Sequence, residues 1–297
     1  VSTLFDSDVE AYPRRIFVGE EVPAVPYLRL TLCPMSRFHE RTLAREKART
    51  GKAENSGLAA GAYTLFDMAF PNPEFPPDAA ASDDPSSYGL YWSTETAFKL
   101  SKADDRWKAE AGVTVLRGAE AGVSPGTSVI SGPFLGPGRL ALYSTKMARI
   151  VETAINIIKG GPGKIMVYHH RVTMSGILAY QEAFRMHGIL DDSEPPTDTT
   201  LCGICGITRG IHATQPRAPH VKEHVFVPAR LIAVHGELDR SVMLRSMAKY
   251  NSPPNLYGYE YRLVLCSKIV KQGFNFRAVR HQLLASLPVD YSLLLQV

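Results

Sequence analysis

The chain is short of cysteine, of long apolar runs and of excess charge, and each shortage closes off a class of protein. No stretch approaches the ~20 consecutive apolar residues a membrane helix requires, so no membrane partner is expected. Val1 is not followed by a basic segment and an apolar core, so no secretion signal is read. The chain starts without Met and stops inside the apolar pattern Leu293-Leu294-Leu295-Gln296-Val297, so both ends read as cut and a fragment of something longer is expected. The 4 cysteines, Cys33, Cys202, Cys205 and Cys266, are too few for a disulfide-built scaffold and suggest a reducing compartment. The net charge of +4 suits a phosphate-rich partner but decides little.

A phosphate-binding lysine loop is missing as well. Gly160-Gly161-Pro162-Gly163-Lys164 invites that reading and fails it. The pattern needs glycine six residues before its lysine and Ser or Thr after it, and here Ile158 and Ile165 stand there. A glycine stop to a helix, leading into a strand, is the expectation instead.

What the chain has is enough apolar residue for a core: 45% hydrophobic and 21% charged over 297 residues, a length that suggests two domains of ~150. Residues 1–50 contain a strand pair, Arg15 to Val18 and Tyr27 to Leu32, around a turn at Gly19-Glu20-Glu21. A helix follows with Ser36 as N-cap. From 51 to 138 the texture is loop-rich, with Pro71 to Pro77 and Ala79 to Ser87 strongly biased in composition and a weak helical pattern over Thr94 to Ala111.

From Arg139 the pattern becomes regular. Met147, Ile150, Val151, Ala154, Ile155 and Ile158 recur at helical spacing; a strand follows over Ile165 to Tyr168, then a helix from Ser175 to Gly188. An irregular Cys/His segment intervenes at about 191–228. Beyond it come a strand at Leu231 to Val234, a helix opening at Asp239, and strands at Tyr261 to Cys266 and Gln282 to Leu287. Helix and strand alternating with short links predict an α/β fold, a doubly wound parallel sheet.

Three groups of residues carry candidate chemistry. In Lys164 to Gly176 a buried strand ends at His169-His170-Arg171, and Ser175-Gly176 opens a helix whose free N–H groups suit a nucleic-acid phosphate. A plain N-cap and a polar strand end explain the same residues. Ser267, Gly273 and Asn275 form a second group, where a strand-end hydroxyl, a close-approach glycine and an amide would meet a phosphate or ribose. The third is Cys202-Gly203-Ile204-Cys205 with His212, His220 and His224 downstream. Cys205 and His220 have fourteen residues between them, and His220 and His224 three, a spacing that fits zinc. Cys202, Cys205, His220 and His224 are the expected ligands, with His212 competing. Pro216 and Pro219 exclude an ordinary finger helix, so a zinc-stapled loop is expected.

With these segments in order, the chain resembles the second RecA-like lobe of superfamily-two helicases. The likeness is strongest to helicase-like ATPases of large cytoplasmic DNA viruses, such as the small subunit of the poxvirus early transcription factor. KIMVYHHRVTMSG (Lys164 to Gly176) looks like that lobe's motif IV, Tyr250 to Phe276 like motif V with its approach, and Leu287 to Val297 like the lead-in to motif VI. Leu32 to Ser36 looks like the segment closing the first lobe, and Cys202 to Cys205 like part of an insertion in giant-virus relatives.

The resemblance implies an end of lobe one at 1–50, a connector at 51–138 and lobe two at 139–297, stopping before the motif VI arginines. It implies nucleic-acid contacts from Arg171, Ser175, Gly176, Ser267 and Lys268, and a nucleotide-facing role for Gly273 and Asn275. It places no catalytic residue here. ATP and Mg would serve a longer, motor-bearing parent acting on DNA or RNA in viral transcription or replication, in a virion or the viral factory of the host cytoplasm. This piece alone would not turn over ATP. A non-catalytic nucleic-acid-binding or scaffold subunit with a helicase-like fold is the rival, and a Cys/His segment that docks another protein is a third reading.

Overall fold

The computed structural model describes residues 15–16, 20–21, 31–50, 67–71, 114–117, 128–214, 224–269 and 274–286. A short antiparallel pair, β1 (Arg15–Ile16) and β2 (Glu20–Glu21), places the expected turn residues Glu20 and Glu21 inside the second strand. The hairpin is therefore tighter than the apolar pattern suggested. Helix α1 (Arg37–Thr50) starts where Ser36 caps it, the Ser36 hydroxyl oxygen accepting from His39 N–H at 3.1 Å. A second antiparallel pair joins β3 (Thr114–Arg117) and β4 (Ser128–Ser131). The helical pattern over Thr94 to Ala111 lies outside the described residues.

The regular half forms an open sheet in which every pairing is parallel. Its strands are β5 (Lys164–Tyr168), β6 (Arg230–Val234), β7 (Tyr261–Cys266) and β8 (Val279–Leu284), in the order β6-β7-β5-β8. The α/β parallel sheet read from the sequence is thus present. Strands β5 and β7 are buried at every position, as their unbroken apolar runs require for strands covered on both faces. Strand β8 is an edge strand with a polar, largely exposed middle, and it begins three residues earlier than its apolar run indicated.

Helices cover both faces. On one, α2 (Leu140–Tyr143), α3 (Thr145–Lys159) and α4 (Ile177–Met186) pack over Ile165, Val167, Leu231, Leu263 and Leu265. Phe38, Met68 and Phe70 join this core, so α1 and the 67–71 segment belong to the same body. Helix α5 (Arg209–Thr214) lies in the Cys/His excursion. On the other face, α6 (Arg240–Tyr250) packs over Met166, Tyr168, Ile232, Val234, Val264 and Cys266. Asp239 caps α6 by accepting from the N–H groups of Ser241 and Val242.

Two buried cations close the amino edge of the sheet. Lys164 donates to the carbonyls of Tyr250 at 2.5 Å and Arg277 at 3.1 Å, and its ammonium lies 4.5 Å from the Tyr250 ring centre. Arg262 donates to the carbonyls of Ile157, Ile158 and Gly161, holding the end of α3, which stops at Gly160. The Gly-Gly-Pro-Gly-Lys run is therefore a helix stop whose lysine is consumed by backbone carbonyls.

Candidate functional site

Parallel strands deliver all their carboxyl ends to one rim, the usual ligand edge of an open α/β sheet. Here that rim collects His235 after β6, Ser267 after β7, His169, His170 and Arg171 after β5, and Ser286 after β8. Backbone bonds lock the row together. His169 N–H donates to Cys266 carbonyl at 3.1 Å, Ser267 N–H to Val234 carbonyl at 3.2 Å, and Ala285 N–H to Tyr168 carbonyl at 2.9 Å. His170 N–H donates to the Ser286 hydroxyl oxygen at 2.9 Å, a contact no sequence motif signalled.

Asp67 sits at the centre of a buried polar cluster on this rim. Its carboxylate receives the Lys146 ammonium, the Ser175 hydroxyl at 3.3 Å, and His169 Nε2 at 3.3 Å. The Arg171 N–H donates to His169 Nδ1 at 3.1 Å. Burial pushes the Asp67 carboxyl up, but the His169 hydrogen bond and the Lys146 charge outweigh it and hold it well below the usual carboxylate range. His170, stacked on His169 with ring centres 4.9 Å apart, is pushed down to about 4, first by burial and then by His169.

The cluster settles where the expected nucleic-acid residues stand. Ser175 and Ser267 do share the carboxyl rim, but both side chains are buried, at 0% and 1% exposure. Ser175 spends its hydroxyl on Asp67. Gly176, the N-cap of α4, is packed so closely that a Cβ there would lie 2.4 Å from Arg171 carbonyl oxygen, so only glycine fits. The first N–H groups of α4 are already bonded: Ile177 to Arg171 carbonyl at 3.1 Å and Leu178 to Val172 carbonyl at 3.0 Å. The helix start thus satisfies itself instead of presenting open donors. Arg171 is half-buried with its Nε 3.3 Å from His170 Nε2, and Lys268 is exposed.

Asn275 stands at the opposite edge. Its carbonyl accepts from the Asn251 side chain at 2.8 Å, beside Arg277 and the amino end of β8. The reason is topological: a connection between parallel strands must run back along the sheet before the next strand begins. Residues after β7 therefore start at the carboxyl rim and finish at the amino edge. The structure brings Ser175 and Ser267 to one rim and does not bring Asn275 there. Gly273 lies outside the described residues.

The excursion between α4 and β6 gathers the sulfur and imidazole groups. Cys202 Sγ lies 3.4 Å from His224 Nε2, and Cys205 Sγ lies 3.1 Å from His212 Nε2. One donor atom from each of the four residues falls within 4.8 Å of all the others. The turn is fixed by Cys202 N–H donating to Ile207 carbonyl and Gly206 N–H to Cys202 carbonyl, both at 2.8 Å. Gly206 takes φ +69° against Lys159, a place closed to other residues. Burial, aided by Cys202, pushes the Cys205 thiol up to about 11, the wrong direction for a nucleophile. His212, the competitor in the spacing argument, is the imidazole the fold brings in; His220 lies outside the described residues. Helix α5 supplies His212, and periodicity alone did not reveal so short a helix.

No family model matches the chain. It is 37% identical, over its whole length, to the early transcription factor large subunit homolog of African swine fever virus isolate Pig/Kenya/KEN-50/1950. Identity is 36% to the proteins of the same name from isolate Warthog/Namibia/Wart80/1980 and the Badajoz 1971 Vero-adapted strain. In each case it spans about a quarter of the relative, 25%. The subunit in those names is the large one, whereas the motif likeness had pointed to the small one. From end to end, then, the chain is similar to one quarter of a viral early transcription factor large subunit homolog.

Proposed function

We propose that these residues form a helicase-like lobe of a viral early transcription factor large subunit, and that the lobe engages nucleic acid without hydrolysing nucleotide itself. The observation that carries this reading is the identity of 36–37%, across the whole chain, to the African swine fever virus proteins. An open parallel sheet supports the nucleic-acid part, because its carboxyl rim is where such folds hold phosphate-bearing ligands. Lys268 is exposed beside that rim and Arg171 partly so. We read both as groups that meet a phosphate backbone. DNA or RNA and other viral transcription proteins are the proposed partners, in the virion or the viral factory of the host cytoplasm. No helix among the described residues is long and apolar enough to cross a membrane.

The non-catalytic part rests on how the rim spends its polar groups. Ser175 spends its hydroxyl on Asp67, Ser267 is buried, the first N–H groups of α4 are bonded within the fold, and the sequence has no phosphate-binding lysine loop. An ATP-driven motor would draw its Walker lysine, its acidic Mg site and its arginines from outside these residues. Fluorescence anisotropy with labelled duplex and single-stranded DNA and RNA, across a salt series, tests the binding. Affinity should fall linearly on a log–log salt plot, and absence of salt-dependent binding to every strand would sink the proposal. ATP turnover, with and without DNA, should stay at background. Strand-stimulated turnover by this chain would overturn the non-catalytic reading in favour of the motor.

A further inference from the structure

We infer that Cys202, Cys205, His212 and His224 bind one zinc ion, and that this closed site pins the excursion between α4 and β6 to the sheet. The geometry comes first. A tetrahedral Zn²⁺ with bonds of ~2.0–2.3 Å sets its donors roughly 3.3–3.8 Å apart. The sulfur–nitrogen contacts of 3.4 and 3.1 Å, with all four donors inside 4.8 Å, have that scale. Each imidazole turns Nε2 toward a different sulfur. Two thiolates neutralise the dication, and a set of two sulfurs and two imidazoles selects zinc over magnesium or calcium.

Local structure supplies the need for a metal. The four ligands come from three separate pieces: the turn at 202–205, helix α5, and the residue that begins the return to β6. His212 is buried and meets the Phe226 ring edge-on at 5.5 Å, while Val225 next to His224 is 84% exposed. The cluster also adjoins the sheet directly. Cys202 bridges Pro228, and Ala229 N–H donates to Leu201 carbonyl at 2.8 Å immediately before β6. A metal here fixes where β6 begins. With four protein ligands no position stays open for water or substrate, so the site is structural.

The spacing departs from an ordinary finger. Six residues separate Cys205 from His212 and eleven separate His212 from His224, so this ligand set uses His212 with His224 in place of the His-x-x-x-His pair of His220 and His224. A Cys202–Cys205 disulfide is the competing chemistry; it would leave no thiolate for a metal to share with the two imidazoles.

Elemental analysis of the full chain, purified under reducing conditions without chelator, should find about one zinc per molecule. His212→Ala and His224→Ala should each lower that to a small fraction, and His220→Ala should leave it unchanged. A metal-free wild type, a Cys202–Cys205 disulfide found by thiol titration in denaturant, or zinc lost from His220→Ala but kept by His212→Ala would each overturn the site. Cobalt substitution of the wild type guards against variants that misfold. It should give thiolate charge-transfer bands with the visible bands of a tetrahedral ion, and an octahedral spectrum counts against the proposal. His212→Cys should bind cobalt with a third thiolate and raise the charge-transfer intensity roughly 1.5-fold, whereas unchanged intensity would exclude His212 as a ligand.

Discussion

The four-stranded sheet and the excursion at 191–228 reach order by opposite means. In the sheet, apolar side chains do the work: Ile165, Val167, Leu263 and Leu265 are fully buried beneath α2, α3 and α4. At ~25 cal/mol per Å² of apolar surface, that burial needs no special partner. The excursion is held by directional contacts. Arg230 donates to the carbonyls of Asp191, Asp192 and Glu194, and Arg185 pairs with Glu182 and Glu194. Tyr261 hydroxyl donates to Asp192 at 2.6 Å, and the Cys/His cluster closes the far end. Apolar packing tolerates many sequences, but a polar scaffold depends on each partner. Damage to the sheet should therefore be global and damage to the excursion local.

The largest effect expected is on the excursion when the proposed zinc is withdrawn. Structural zinc contributes on the order of 10 kcal/mol to ordering a loop of this kind. Chelation should raise proteolytic cleavage within 191–228 by at least ~10-fold, since ~1.4 kcal/mol of lost protection already gives that factor. Limited proteolysis with mass mapping reads this out. Cleavage spread evenly over the sheet would break the contrast.

Next comes Leu263→Ala in the central strand β7, which should cost about 3 kcal/mol in urea denaturation, because a buried cavity forms where packing cannot relax. Zinc content should stay intact in that variant. Asp67→Asn follows, at about 2 kcal/mol by the same measurement, since Lys146 and His169 lose the carboxylate that satisfies them. A neutral outcome would mean the rim cluster is not stabilising.

A smaller effect appears on acidification. His235 and His170 are both pushed down to about 4 by burial, so the fold favours their neutral forms while the unfolded chain takes up protons below about 6.5. The stability they permit at neutral pH is lost as pH falls from about 6.5 towards 4. Asp191, pushed up to about 6 mainly by burial, acts in the opposite direction over part of that range. The variant comparison therefore isolates the histidine: His235→Gln should remove about 1–2 kcal/mol of the acid-induced loss seen by urea denaturation at pH 7 and pH 5. An unchanged pH profile would show that His235 is not neutralised by the fold. Smallest of all is Lys268→Ala, within about 0.5 kcal/mol on stability but lowering the salt slope of DNA binding by about one unit. An unaltered slope would remove Lys268 from the nucleic-acid surface.

The strands and helices of the second half were legible because burial writes periodicity into sequence. Strands β5 and β7 are unbroken apolar runs, α3 repeats its apolar residues at helical spacing, and Asp239 and Ser36 announce helix starts by a short-range bond. The site was legible only in part. Cys202, Cys205 and His224 could be picked by residue type, but the choice of His212 depended on helix α5, six residues long and too short for a periodic signal. Asp67 gave no signal at all. It lies in a loop-rich stretch and acquires its role from Lys146, His169 and Ser175, between 79 and 108 residues away along the chain.

Sequence by itself determined that this chain alternates strands and helices into an α/β sheet, because hydrophobic pattern and capping act over a few residues. Tertiary structure alone decided that Ser175 faces Asp67 inward, that Asn275 occupies the amino edge, and that His212 faces Cys205. Which groups meet across a fold depends on crossovers and on strand order, and neither leaves a mark on any local stretch of residues.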